Sequence, residues 1–470
     1  VTLDERAEGR QDAGEEQSSP RLGSDAPIGR HLLPLNSGRG PSGALTVAGI
    51  GLCELAEQYG TPLFVYDEEH LRVRCREALA AFGPGVAYAA KAFLCKAMAR
   101  LAFEEGLAID VSTDGELAVA LAGGVLGDSI VLHGSNKSLA EIEAGLRAGV
   151  ARIAVDSSDE IDRLEALLGD GTADETGDET GAEVGRSWRD SLPGGRQDVL
   201  IRVTPGVEAH THEYVMTGQV DSKFGFGLDS GAASEAAERL RKIPGVRIVG
   251  VHAHIGSQIF RSDSFAREVA ALAPFVSELG VSELCIGGGL GVAYLNGETA
   301  PTLVDWAATV RAACRDARIP QEVRVTAEPG RAIVATAGMT LYTVGTVKEL
   351  PGIRLYVSVD GGMSDNPRPV LYGSGYEAFL PRSPDARRPL EARIVGKHCE
   401  SGDVVVDDAR LPADLAVGDI LATPVTGAYG HSMASNYNRV GRPPVVFLRS
   451  GRSRVVVRRE TVEDLLRLEE

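Results

Sequence analysis

The sequence predicts a (β/α)8 barrel followed by a second, mainly β domain, and three observations carry that expectation. Eight short apolar or β-branched runs recur between residues 86 and 330, each ending in small or polar residues. Helix-like segments separate them, so eight strand-plus-helix units fill the roughly 250 residues that such a barrel takes. Beyond about residue 333 the rhythm changes to strands with few helices between them. A doubly wound open sheet shares the alternating rhythm, but the GxGxxG spacing of a dinucleotide-binding turn is absent.

Along the chain, residues 1–40 are rich in Gly, Ser and Pro and read as a disordered tail. GLCELAEQYGTPLFVYD (51–67) reads as a short helix running into a strand. The barrel runs are VAYAAKA (86–92), LAIDVS (107–112), IVLHG (130–134), RIAVD (152–156), VLIRVTP (199–205), RIVGVHAHIGS (247–257), ELCIGGG (283–289) and RVTAEPG (324–330). An acidic stretch within 166–198 reads as a surface insertion between the fourth and fifth strands. These signals assign 64–333 to the barrel, and 41–63 with 334–470 to the β domain. In that domain TLYTVGTVKEL, IRLYVSVDGGM, LEARIVGKHC, DVVVDDARL, PPVVFLRS and SRVVVRRE are strands, for which a sandwich or barrel fits.

Composition bounds the function. The 470 residues are 43% hydrophobic and 24% charged, ordinary for a soluble protein with a sizeable core. Half of the net charge of −18 comes from residues 1–30, with seven acids and four bases, and 169–183, with six acids and no base. The acidity is therefore that of solvated segments. No basic stripe points to nucleic acid, no apolar run is long enough for a membrane span, and the polar opening residues lead one to expect no signal peptide. A cytoplasmic location is expected, and the six scattered cysteines read as free thiols with no metal site.

The polar residues fall at the C-terminal ends of the strands, where barrel enzymes build their sites. Lys91 ends the first run, Asp110 lies in the second, His133 ends the third, and His254 and Ser257 end the sixth. Gly287, Gly288 and Gly289 end the seventh, and Glu328 and Arg331 the eighth. Lys91 sits among small and apolar residues, where lost solvation lowers an amine's pKa and makes it a nucleophile suited to a Schiff base. A lysine snorkelling to water would use the same position. The three glycines suit backbone N–H groups closing on a phosphate, or simply a tight turn. His252 and His254 share one face of their strand, which suggests a flat imidazole lying against a flat ring, a metal ligand or a core histidine. Glu328 and Arg331 form an ion pair on a simple reading. Beside a lysine Schiff base, a carboxylate can instead hold a pyridine nitrogen protonated.

Together YAAKA, HGSNKS, HAHIGSQ, GGGLG, EPGR, MSDNPRP, KHCESGD and GAYG, in this order over about residues 45–465, resemble the diaminopimelate decarboxylases. These are pyridoxal-phosphate enzymes of the alanine racemase-like fold type III. The resemblance implies the same two-domain architecture, pyridoxal 5'-phosphate as cofactor, and decarboxylation of meso-2,6-diaminopimelate to L-lysine. It also implies roles. Lys91 would carry the cofactor, His254 would stack on its ring, Glu328 would contact the pyridine nitrogen, and Asp110 would lie in the cofactor site. Ser257, Gly287–Gly289 and Arg331 would contact phosphate or a substrate carboxylate. Arg368, Tyr372 and Glu400 look like substrate contacts, Tyr429 like a contact to both cofactor and substrate, and Cys399 like the proton donor. Relatives supply the CESGD segment from a second subunit, so an obligate homodimer acting on a small amino acid is implied. Decarboxylases of ornithine, lysine or arginine share the barrel and cofactor residues and are the alternative.

Overall fold

The computed structural model describes residues 26–169, 192–207 and 221–470. Eight parallel strands follow one another around the barrel in sequence order: Ala87–Ala89, Ala108–Val111, Ile130–Leu132, Arg152–Val155, Gln197–Thr204, Val246–His252, Glu283–Cys285 and Arg324–Thr326. Each coincides with one of the eight runs. The ring closes where Ala87 N donates to Ala327 O (3.0 Å) and Ala89 N to Pro329 O (3.3 Å), joining the first strand to the eighth.

The strands are short and apolar because both faces are covered, the inner by the barrel core and the outer by helices. Ile130–Leu132 is buried at every position. Several of the helices start where the sequence supplies a cap. Thr113 accepts from Glu116 N ahead of Asp114–Ala122, and full capping boxes, Ser138 with Glu141 and Thr302 with Asp305, open Leu139–Ala148 and Leu303–Asp316. Trp306 packs between Phe82 (4.7 Å between ring centroids) and Phe265 (5.0 Å), locking three outer helices together.

The second domain is one eight-stranded sheet in the order 404–411, 390–395, 354–359, 338–350, 63–67, 445–449, 452–457, with Ile420–Pro424 paired to Gly338–Leu350. All six strands expected there are present. Leu63–Asp67, assigned from sequence largely to the barrel, lies in this sheet between Gly338–Leu350 and Val445–Arg449. The first barrel helix, Glu68–Phe82, starts immediately after it.

The tail also differs from expectation. Residues 26–40 are built into the fold, with Leu32 and Leu33 buried and Ser37–Arg39 paired with Leu45–Val47. A buried leucine pair supplies the apolar contact that the Gly- and Ser-rich composition concealed. Residues 1–25 and 170–191, which hold most of the tail and of the acidic insertion, lie outside the described residues. All six cysteines are free, and no helix among the described residues is long and apolar enough to cross a membrane.

Candidate active site

Every strand of the barrel sends a polar group to the same end. Asp110, His133, His252 and Glu328 are buried there together. Glu328 Oε1 lies 2.8 Å from His133 Nε2, Glu328 Oε2 lies 3.1 Å from His252 Nε2, and the Cys285 thiol donates to Oε1 (3.3 Å). Burial alone would raise the Glu328 carboxyl, but His133 and His252 overcome it and hold the group well below the usual carboxylate range. For His133, burial works downward while Asp110, whose Oδ1 is 4.0 Å away, and Glu328 raise it above the ordinary histidine value. His252 goes the other way, pushed by burial to about 4. Glu328 is thus an anion braced from both sides. His133, His252 and Glu328 are also of metal-binding type, with their ligand atoms within 4.8 Å of one another. Both Glu328 oxygens already face imidazoles, an arrangement for sharing a proton.

Lys91 stands on the short turn Ala90–Ala92 that follows the first strand. It is densely surrounded by protein yet its side chain stays open to solvent, as at the floor of a cleft. The sequence-based expectation of a lowered pKa is corrected here. Burial does push the amine down, but Tyr429, Asp110 and Glu328 outweigh it and carry it above the ordinary lysine value. Three negatively polarised neighbours are a feature that flanking apolar residues could not reveal. His254, beside Lys91, is held neutral, chiefly by burial and then by the Lys91 and Arg202 charges. Its Nδ1 accepts from Gly288 N (3.1 Å).

The three glycines answer a demand for space. A Cβ on Gly287 would stand 2.5 Å from Ala253 O, one on Gly288 2.4 Å from Glu328 O, and one on Gly289 2.2 Å from Gly256 O. Gly289 also has φ +107°, which side-chain-bearing residues rarely adopt. The seventh strand's loop is thereby pressed against its neighbours at the barrel mouth.

A second group lies between the barrel and the β domain. Arg331 donates to Ser257 Oγ (2.9 Å) and Tyr294 OH (2.7 Å), with the Tyr429 ring 4.7 Å from its guanidinium carbon. Arg368, only 3% exposed, donates to Tyr376 OH (2.7 Å) and Ser374 Oγ (3.1 Å) and lies 4.0 Å over the Tyr294 ring. Among the described residues neither arginine meets a carboxylate, and the Nε of each is buried without a hydrogen-bond partner.

The fourth and fifth strands, to which the sequence reading gave no site residue, supply Asp156 and Arg202, paired at 3.3 Å. Both stand in the quoted runs RIAVD and VLIRVTP, so their signal was available. Tyr294, Ser374, Tyr376 and Cys285 were missed because nothing marks an isolated tyrosine, serine or thiol. Below His133, Lys137 and Glu160 form an ion pair (2.8 Å) with both side chains 1% exposed. Lys137 Nζ also donates to Gly134 O (3.0 Å) and Ala154 O (2.8 Å).

Cys399 and Glu400 are not brought to this site within one chain. They are exposed on the turn between Leu390–Val395 and Val404–Leu411, where Cys399 N donates to Asn438 Oδ1 (3.1 Å) and Glu400 accepts from Gly402 N (3.3 Å). Tyr372 ends the short helix Arg368–Tyr372 and is half-buried.

The pocket fits pyridoxal phosphate on structural grounds. An open lysine, a neutral imidazole, a braced carboxylate, an orphaned Asp110 Oδ1 and a glycine-lined mouth converge on one cleft. Residues 68–335 match the family model "Pyridoxal-dependent decarboxylase, pyridoxal binding domain". Diaminopimelate decarboxylase of Mycobacterium tuberculosis is 46% identical over 93% of this chain and 98% of its own. That of Bacillus subtilis is 41% identical over 91% and 95%. Among solved structures, diaminopimelate decarboxylase from M. jannaschii in complex with L-lysine superposes with a TM-score of 0.80 at 31% identity, covering 93% of this chain and 98% of that one. A lysine/ornithine decarboxylase from Vibrio vulnificus, at 24% identity and a TM-score of 0.69, shares the fold. The chain belongs to the diaminopimelate decarboxylase family of pyridoxal-dependent enzymes.

Proposed function

We propose that the protein decarboxylates meso-2,6-diaminopimelate to L-lysine and CO2, the last step of lysine biosynthesis, with pyridoxal 5'-phosphate as cofactor. The observation that carries this choice of substrate is the pair of guanidiniums, Arg331 and Arg368, that among the described residues meet only hydroxyls and aromatic faces. A cation withdrawn from water without a counter-charge is costly, so the pair wants an anion from outside the chain. Diaminopimelate brings a carboxylate at the end remote from the reacting carbon. Ornithine, lysine or arginine undergoing the same reaction would bring a cation there and be repelled.

The bound cofactor supplies an electron sink for the pair left by the departing carboxylate. Lys91 would hold it through its amine, and His254, kept neutral, would lie against its ring. Glu328, kept ionised by His133 and His252, would hold a proton at the pyridine nitrogen. Ser257 and the Gly287–Gly289 loop would hold the phosphate, with Asp110 available to the ring. Arg331 and Arg368 orient the distal carboxylate, assisted by Tyr372 and Tyr429. Cys399 delivers a proton to the reacting carbon and Glu400 binds the distal amine. Both do so from the partner of a homodimer, a reading supported by their exposure and by the exposed Val370 and Leu371 beside Arg368. Six free cysteines accord with a cytoplasmic location.

A product assay tests the proposal. Purified protein with pyridoxal phosphate is offered meso-diaminopimelate beside D- and L-ornithine, D- and L-lysine and L-arginine, with chiral chromatography of the products. L-Lysine from diaminopimelate alone is expected, and a diamine from any other substrate overturns the assignment. Lys91→Ala abolishes turnover; a near-native rate in that variant removes Lys91 from its role.

A further inference from the structure

We infer that Tyr294 is a specificity-determining positioning residue: it fixes the spacing between the guanidinium of the barrel and that of the β domain, so that one carboxylate can bridge them. The inference rests on the carboxylate-binding role proposed above for Arg331 and Arg368. Tyr294 contacts both. Its hydroxyl accepts from Arg331 Nη1 (2.7 Å), and its ring face carries the Arg368 guanidinium at 4.0 Å. Two like charges brought this close repel each other, and an aromatic ring is a suitable spacer because its face attracts a cation without neutralising it. Tyr376 completes the box, with its ring edge-on to Tyr294 at 5.4 Å and its hydroxyl on Arg368.

The spacer is itself immobilised. Tyr294 is 4% exposed, and Glu298 accepts from the backbone N–H groups of Tyr294 (2.7 Å) and Leu295 (3.1 Å), closing its loop. The next residue, Asn296, donates through its backbone to Glu377 (3.1 Å) in the β domain, and its side chain accepts from Gly29 N (2.7 Å). The seventh-strand loop is therefore tied to the β domain and to the amino-terminal segment at once. A ring held this way acts as a ruler between two domains.

Tyr294→Phe keeps the ring under Arg368 and removes the bond to Arg331; Tyr294→Leu removes both contacts. The holoenzyme variants are measured against three ligands: meso-diaminopimelate as substrate, and L-lysine and 1,5-diaminopentane as inhibitors. The last has the lysine chain without its carboxylate. A hydrogen bond to a charged group corresponds to an effect of about tenfold or more. Tyr294→Phe is expected to raise the KM for diaminopimelate and the Ki for L-lysine by about tenfold each, and Tyr294→Leu by more. Inhibition by 1,5-diaminopentane, kcat within about twofold, and the absorbance titration of apoprotein with pyridoxal phosphate stay as in the native enzyme. Equal weakening of all three ligands, or an unchanged KM in both variants, overturns the inference. Failure of the native enzyme to turn over diaminopimelate would refute the function itself, and that control is read separately.

Discussion

Replacing Lys137 by Met tests whether the ion pair beneath His133 holds the site in place. The substitution keeps the length of the side chain and removes its charge, leaving Glu160 in a position only 1% exposed. Deleting one partner of a buried pair costs about 3–5 kcal/mol, because the survivor is left uncompensated. Here Glu160 still accepts from Lys137 N (3.0 Å) and Asp156 N (2.9 Å), which places the expected cost near the lower bound, about 3 kcal/mol. With a urea slope of about 3 kcal/mol per molar, the midpoint of unfolding falls by about 1 M, read by far-UV circular dichroism. The double variant Lys137→Met/Glu160→Gln removes the stranded charge, so it recovers about half of the loss. Activity falls in the single variant as well, since Gly134, next to His133, loses its bond to Lys137 Nζ. A midpoint within about 0.2 M of native, or a double variant as unstable as the two single changes added together, would refute the reasoning.

Three further outcomes are expected. His70, His252 and His431 are each pushed by burial from 6.5 to about 4, so the unfolded chain takes up their protons first. Stability therefore declines as pH falls from 6.5 to 4, and His431→Phe flattens that decline by at most about 1.4 kcal/mol per pH unit, measured by denaturation across the range. Gly289→Ala drives a methyl to 2.2 Å from Gly256 O at φ +107° and weakens cofactor binding, whereas Gly149→Ala, also at positive φ but with nothing within 4 Å, lowers only the melting temperature slightly. Absorbance titration separates the two. If the site is shared, mixing inactive Lys91→Ala and Cys399→Ala subunits restores up to about a quarter of native activity, because each mixed dimer regains one intact site. No recovery after subunit exchange contradicts the shared site.

The barrel was legible in the sequence because parallel strands covered on both faces are written as short apolar runs, and all eight were. The candidate residues were legible for a related reason. Lys91, Asp110, His133, His254 and Glu328 interrupt or end such runs, where a polar residue stands out. Long-range pairing was not legible. Leu63–Asp67 reads as a strand opening the barrel domain, and only its partners, Gly338–Leu350 and Val445–Arg449, place it in the other sheet. The direction of the Lys91 shift depended on Tyr429, Asp110 and Glu328, distant in sequence. Tyr294 carried no local signal, because its importance comes from two arginines contributed by other segments.

The seam between the first and eighth strands also orders events on the ribosome. Lys91 is synthesised early, but Glu328 and Arg331 emerge only as the eighth strand does, and the ring cannot close until that strand meets Ala87 and Ala89. A nascent chain stopped short of Glu328 carries Lys91 but no closed ring around it to shelter a vitamin-derived aldehyde from water. Leu63–Asp67 waits longer still, for Val445–Arg449, which is made only after the whole barrel. Loading is thus a late step, and a prematurely terminated chain should emerge colourless.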